Sequence, residues 1–162
     1  MRPVELLKRP RLLVLGCRMA AWSLAVPLLK RALPLPALVR LAWSRPRGGR
    51  GREQEIVQLA WWTSRLQPRR FPHNCLERSL VTYRFLARAG AQPRLVTGRG
   101  RPEGEIMGHV WVTVADRPVQ DADEALRAFG RLVEFGDGGR AVRGEAELGG
   151  LDGRAAASLP LS

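Results

Sequence analysis

Asn74-Cys75-Leu76-Glu77-Arg78-Ser79-Leu80 decides how this chain folds, because it sets a thiol at the start of an amphipathic segment. Leu76, Leu80, Tyr83 and Leu86 recur at four- and three-residue steps and Gly90 closes the run, the pattern of a helix with one buried face. Asn74 is a favourable N-cap residue, and Glu77 completes a capping-box pattern with it. Cys75 then takes the first helical position, where unpaired backbone N–H groups and the positive end of the helix dipole stabilise negative charge on sulfur. The alternative is an inert buried thiol, since free cysteine is among the most buried residue types.

The partner for such a thiol lies downstream. Ile106 to Val114 is β-branched and aromatic, and strand alternation puts His109, Trp111 and Thr113 on one face and Val110, Val112 and Val114 on the other. Ala115-Asp116-Arg117-Pro118 reads as a turn and Val119-Gln120-Asp121 as a returning strand. A hairpin loop with an odd number of residues would bring Asp121 to the face of His109. Asp123 has the same parity, so spacing does not choose between the two carboxylates. A cysteine, a histidine and an acid so placed have the form of a nucleophile, its base and an orienting group. His73 is a rival base, but it stands two positions before Cys75 with no acid close in sequence to orient it.

The runs Cys75-Leu76-Glu77-Arg78-Ser79-Leu80, Arg88-Ala89-Gly90-Ala91-Gln92-Pro93-Arg94-Leu95-Val96-Thr97-Gly98 and Gly108-His109-Val110-Trp111-Val112 together resemble the transglutaminase-like leader peptidases of lasso-peptide biosynthesis. The resemblance spans about residues 55 to 135. It implies an α+β fold with a papain- or transglutaminase-like core, in which the nucleophile heads a helix packed on a small antiparallel sheet, preceded here by N-terminal helices. It implies Cys75 as nucleophile, His109 as base and Asp121 as orienting acid. It also implies a precursor peptide as substrate and a cyclase as a later partner. Because residues 1 to 70 show a helical pattern with prolines and no period-two stretches, a separate leader-binding protein is expected. With no zinc or phosphate-loop motif, no cofactor is expected. Val110 stands where the family often has alanine, on the face away from His109. The same triad in a ligating enzyme would form amides, and a non-catalytic interaction module of the same fold is the competing class.

Length and charge bound the rest. The chain has 162 residues, enough for one domain with a proper core. Its only cysteines are Cys17 and Cys75, which argues against a disulfide scaffold and points to a reducing cytoplasm. No paired Cys/His zinc spacing and no phosphate-binding loop occur. The net charge of +12 is concentrated in residues 1–100, with 20 Lys/Arg against Glu5, Glu53, Glu55 and Glu77. Only Lys8 and Lys30 of the basic residues are lysine, and with no nucleic-acid-binding motif present the surplus reads as a solvated arginine surface, not a nucleic-acid site.

Four segments are expected. Residues 1–44 form apolar helices broken near Pro27 and again at Pro34-Leu35-Pro36, with arginines that leave room for a peripheral membrane contact. Residues 45–52 are an Arg/Gly linker, residues 53–135 the catalytic core, and residues 136–162 a disordered tail. Within the core, Glu53 to Leu66 is a helix with Ile56, Leu59, Trp62 and Leu66 inward, and the Trp61-Trp62 pair is read as core. Arg99 to Glu105 is expected as a mobile loop near the site, and Phe129 to Phe135 as a last strand or helix.

Overall fold

The computed structural model describes residues 10–48, 51–65 and 75–144. Four helices precede a sheet: α1 (Pro10–Ala32), α2 (Leu35–Ala42), α3 (Glu53–Ser64) and α4 (Cys75–Ala89). Strands β1 (Pro93–Gly100), β2 (Met107–Val114) and β3 (Arg117–Pro118) follow, then the short helix α5 (Asp123–Leu126) and strands β4 (Phe129–Phe135) and β5 (Ala141–Arg143). The five strands lie in the order β3-β2-β1-β4-β5, with every neighbouring pair antiparallel. The α+β architecture with helices ahead of an antiparallel sheet is the one the sequence led us to expect.

Helix α4 is the hub. Almost all of its side chains are buried, and Leu76, Leu80, Tyr83 and Leu86 join Leu95, Val110, Val112, Val133 and Phe135 of the sheet in one core. Met19 and Val26 of α1, Leu38 and Val39 of α2, and Ile56 and Leu59 of α3 complete it. Gly90 ends α4 at φ 87°, with its N–H bonded to Ala87 O at 3.0 Å and the Ala91 N–H to Leu86 O at 3.1 Å. That is a Schellman cap, the chemistry that makes glycine a helix stop.

Several expectations are corrected. Helix α1 runs through Pro27 without a break; the proline forfeits one helical hydrogen bond, but Ser23 and Val26 around it are buried against the core and hold the helix together. The break at Pro34-Leu35-Pro36 occurs as expected, with Pro36 admitted at the start of α2. Trp61 and Trp62 are not core: they are 42% and 39% exposed, edge-to-face at 5.1 Å, with the Arg65 guanidinium 3.6 Å over Trp61. Inward positions of α3 are instead Ile56, Leu59, Ala60 and Thr63; Leu66 lies outside the described residues.

The expected onset of disorder at Gly136 is also wrong for residues 136–144. A 3-10 turn at Asp137–Gly139 leads into β5, which pairs with β4, and Tyr83 donates its hydroxyl to the Gly136 carbonyl. Residues 145–162 lie outside the described residues, as do His73 and Asn74, and with Asn74 the cap proposed for α4. Arg99 to Glu105 contains a 3-10 turn, Pro102–Gly104, that joins β1 to β2, and Phe129–Phe135 is a strand.

Candidate active site

Cys75 is the first residue of α4 and only 8% exposed. The three residues that follow Leu76 each tie this helix start to a different element. Glu77, fully enclosed, pairs with Lys30 of α1. Arg78 donates from Nη2 to Asp121 Oδ1 at 2.6 Å. Ser79 donates from Oγ to the carbonyl of Val110 on β2 at 2.9 Å. Glu77 is therefore spent on a tertiary ion pair as well as lying at the capping-box position.

The Ser79 bond explains how a helix start meets a strand histidine. Strand β3 is only two residues long and pairs with Thr113 and Val114, and the last bond along that edge runs from Val119 N to Val112 O at 3.0 Å. Two residues earlier Val110 O points to the same edge, and there Ser79 supplies the donor that a longer β3 would have supplied. The start of α4 thus docks on the open edge of β2, beside His109.

Strand alternation in β2 is as expected. Val110 and Val112 enter the core, while Trp111 stacks on His109 at 5.9 Å between ring centroids; Phe129 of β4 lies 5.1 Å from the same imidazole. Gly98, paired with His109 across the ladder, leaves room for this stack, since a Cβ there would stand 2.7 Å from the Trp111 ring.

Asp121 arrives by a route the hairpin argument did not give. Val114 pairs with Arg117, so the loop holds two residues, Ala115 and Asp116, both at positive φ (50° and 61°). An even loop assigns position 121 the face of Val110, opposite to His109. The chain leaves the ladder after Pro118 and bends through residues 119–121, because the start of α4 occupies the edge of β2. The bend sets Asp121 Oδ2 at 3.7 Å from His109 Nε2, an ion-pair separation longer than a direct hydrogen bond. Asp123, at the head of α5, is exposed. The structure therefore brings Cys75, His109 and Asp121 together and leaves Asp123 outside.

Electrostatics in the cluster are asymmetric. His109 is pushed up to about 9, chiefly by Asp121 and then by Cys75, with burial opposing both. At neutral pH the imidazole holds its proton. Burial pushes the Asp121 carboxyl up, yet His109 and the Arg78 guanidinium outweigh it and hold the group below the usual carboxylate range. With Nε2 turned to Asp121, Nδ1 is the nitrogen left for the thiol.

Arg78 is the residue that sequence reasoning missed. It lies one turn after Cys75, and its burial with Asp121 was not signalled by any spacing, since the carboxylate reaches it through a bend and not a regular element. Cys17, the other thiol, is exposed on α1. Among the described residues no three His, Cys, Asp or Glu side chains gather as metal ligands.

Comparison with known protein families matches residues 16–134 to the transglutaminase-like superfamily, a span that begins inside α1 and ends in β4. No curated protein and no solved structure matches the chain. Members of this superfamily typically act through a catalytic cysteine. A thiol at a helix start beside a strand histidine and an acid suits cysteine chemistry, and on the family match over residues 16–134 the chain belongs to the transglutaminase-like superfamily.

Proposed function

We propose that this chain is a cysteine peptidase that removes the leader from a ribosomally made precursor peptide, with Cys75 as nucleophile, His109 as base and Asp121 as orienting acid. The observation that carries the reading is that His109 stands 3.7 Å from Asp121 and is raised by both Asp121 and Cys75, the residue that heads α4. The narrower assignment to lasso-type maturation rests on the resemblance of the Cys75–Leu80, Arg88–Gly98 and Gly108–Val112 runs to that group of leader peptidases.

Before substrate arrives the imidazolium of His109 already carries the proton that the thiol gives up, and the sulfur of Cys75 attacks the scissile carbonyl carbon. Backbone N–H groups of the first turn of α4 face the developing oxyanion. His109 returns the proton to the leaving amine, and water then releases the acyl group from sulfur. Asp121 keeps Nε2 of the imidazole occupied so that Nδ1 faces the thiol, and Arg78 holds Asp121 in place.

Among the described residues, 10–32, 35–42 and 53–64 are helical; in this reading, which follows the resemblance to that group of peptidases, a separate protein recognises the leader and a cyclase performs the step that follows. Mass spectrometry of the precursor tests the reading. The chain with its leader-binding protein should release the leader, the chain alone should do so slowly or not at all, and Cys75→Ser should abolish release. Full cleavage by Cys75→Ser would refute the nucleophile. Efficient leader-specific cleavage by the chain alone would refute the separate partner.

A further inference from the structure

Helix α1 has two apolar faces, and the fold uses one. Leu12, Met19, Ser23 and Val26 are buried against the core. On the opposite side Leu13, Val14, Cys17, Ala21, Leu24 and Leu28 are exposed, with Leu24 at 55% and Leu28 at 67%. At 100° per residue these six fall within about one third of the helix circumference and run along it for about 22 Å. Arg11 and Arg18 flank the stripe and Arg31 ends it, all exposed.

From this we infer that α1 lies flat on an anionic lipid bilayer, its outer stripe in the acyl boundary and its arginines at the headgroups. By length and composition α1 could cross a bilayer. Its inner face is pinned to the core, however, so the helix meets the membrane from the side and does not span it. Charge selects the occupant. Residues 6–52 carry eleven Lys/Arg and no Asp or Glu. Two copies joined through this stripe would bring the exposed Arg11, Arg18 and Arg31 of one against those of the other, whereas anionic headgroups neutralise these charges. Apart from Cys17 the stripe is aliphatic, without the aromatic or arginine anchors on which protein interfaces concentrate their binding energy. This inference stands apart from the proposed peptidase activity.

Vesicle co-sedimentation of the full chain tests it. Binding to vesicles containing phosphatidylglycerol should exceed binding to pure phosphatidylcholine and should weaken as salt is raised. Leu24→Gln with Leu28→Gln replaces two exposed side chains, so the circular dichroism spectrum should be kept while vesicle affinity falls by about tenfold or more. Arg18→Glu should lower binding to the anionic vesicles alone. Failure to bind phosphatidylglycerol vesicles, equal binding to both lipids, or unchanged binding by the double variant would overturn the proposal. So would a concentration-dependent dimer that the double variant abolishes in a protein with no vesicle binding, since the stripe would then belong to a second copy.

Discussion

Cys75 and His109 stand on regular elements, one on the first turn of α4 and the other on β2, whereas Asp121 stands on a three-residue bend that has left the sheet. The first two are positioned by backbone hydrogen bonding and by core burial of Leu76, Leu80, Val110 and Val112. The third is positioned by side chains alone, through Arg78 on one carboxylate oxygen and His109 beyond the other. A group held by the fold resists perturbation until the core fails, while a group held by one guanidinium can be released by a single substitution. The acid is therefore the point at which this site should be most easily detuned without unfolding.

Asp121→Asn should show the largest effect. It keeps the shape of the group but removes the charge that raises His109, so turnover of the precursor should fall by about a thousandfold or more with the fold retained. The same variant should lower the His109 titration, followed by NMR, from about 9 toward its ordinary value of 6.5. Activity within about threefold of the parent would remove Asp121 from the mechanism.

Arg78→Gln should come next. Losing the guanidinium lets the bend move, and a displacement of about 1 Å at a reacting group costs on the order of a hundredfold. A readout beyond activity separates positioning from general damage: the Asp121 carboxyl should rise toward the usual carboxylate range once Arg78 no longer lowers it. If activity changed less than about twofold and that titration did not move, Arg78 would be a bystander.

Stability should carry a smaller, pH-dependent signature. The folded state raises His109 from 6.5 to about 9, so its contribution is fully present below about pH 6.5 and is lost as pH rises through about 9. Denaturant midpoints should fall across that window in the parent and much less in Asp121→Asn. Equal slopes in the two proteins would mean that the ion pair does not bias the proton. Asp123→Asn should have the least effect, within about twofold in activity, because its side chain is exposed at the head of α5. A large loss there with none in Asp121→Asn would reverse the choice of acid.

The same contrast separates what the sequence disclosed from what it hid. Periodicity located α4 and β2 because a helix or strand with one buried face writes its period into the chain, as Leu76, Leu80, Tyr83 and Leu86 do. Gly90 was legible as a stop because its left-handed φ is a local requirement. Pro27 misled in the other direction: a local breaker was overridden by packing on Ser23 and Val26. The hairpin register was hidden because Ala115 and Asp116 lack the Asn-Gly signature of a two-residue turn, yet both take positive φ. Asp121 lies near His109 despite a misread register, and Arg78 was overlooked, because the contact between Arg78 and Asp121 depends on where the bend falls in three dimensions. Trp61 and Trp62 looked like core by residue type, and Trp62 also by its helical spacing from Ile56 and Leu59; both stand exposed, while Ala60 and Thr63 take the inward positions.

Acyl transfer to Cys75 is the most direct test of the central claim that this cluster generates a nucleophile. The chain, with its exposed Cys17 as an internal control, can be treated with an activated acyl ester and the modified thiol located by peptide mass spectrometry. Accessibility alone favours Cys17, since Cys75 is only 8% exposed. The acyl group should be found on Cys75 in the parent chain and be lost from it in His109→Ala, with labelling of Cys17 unchanged. Acylation confined to Cys17, or acylation of Cys75 that does not depend on His109, would contradict it.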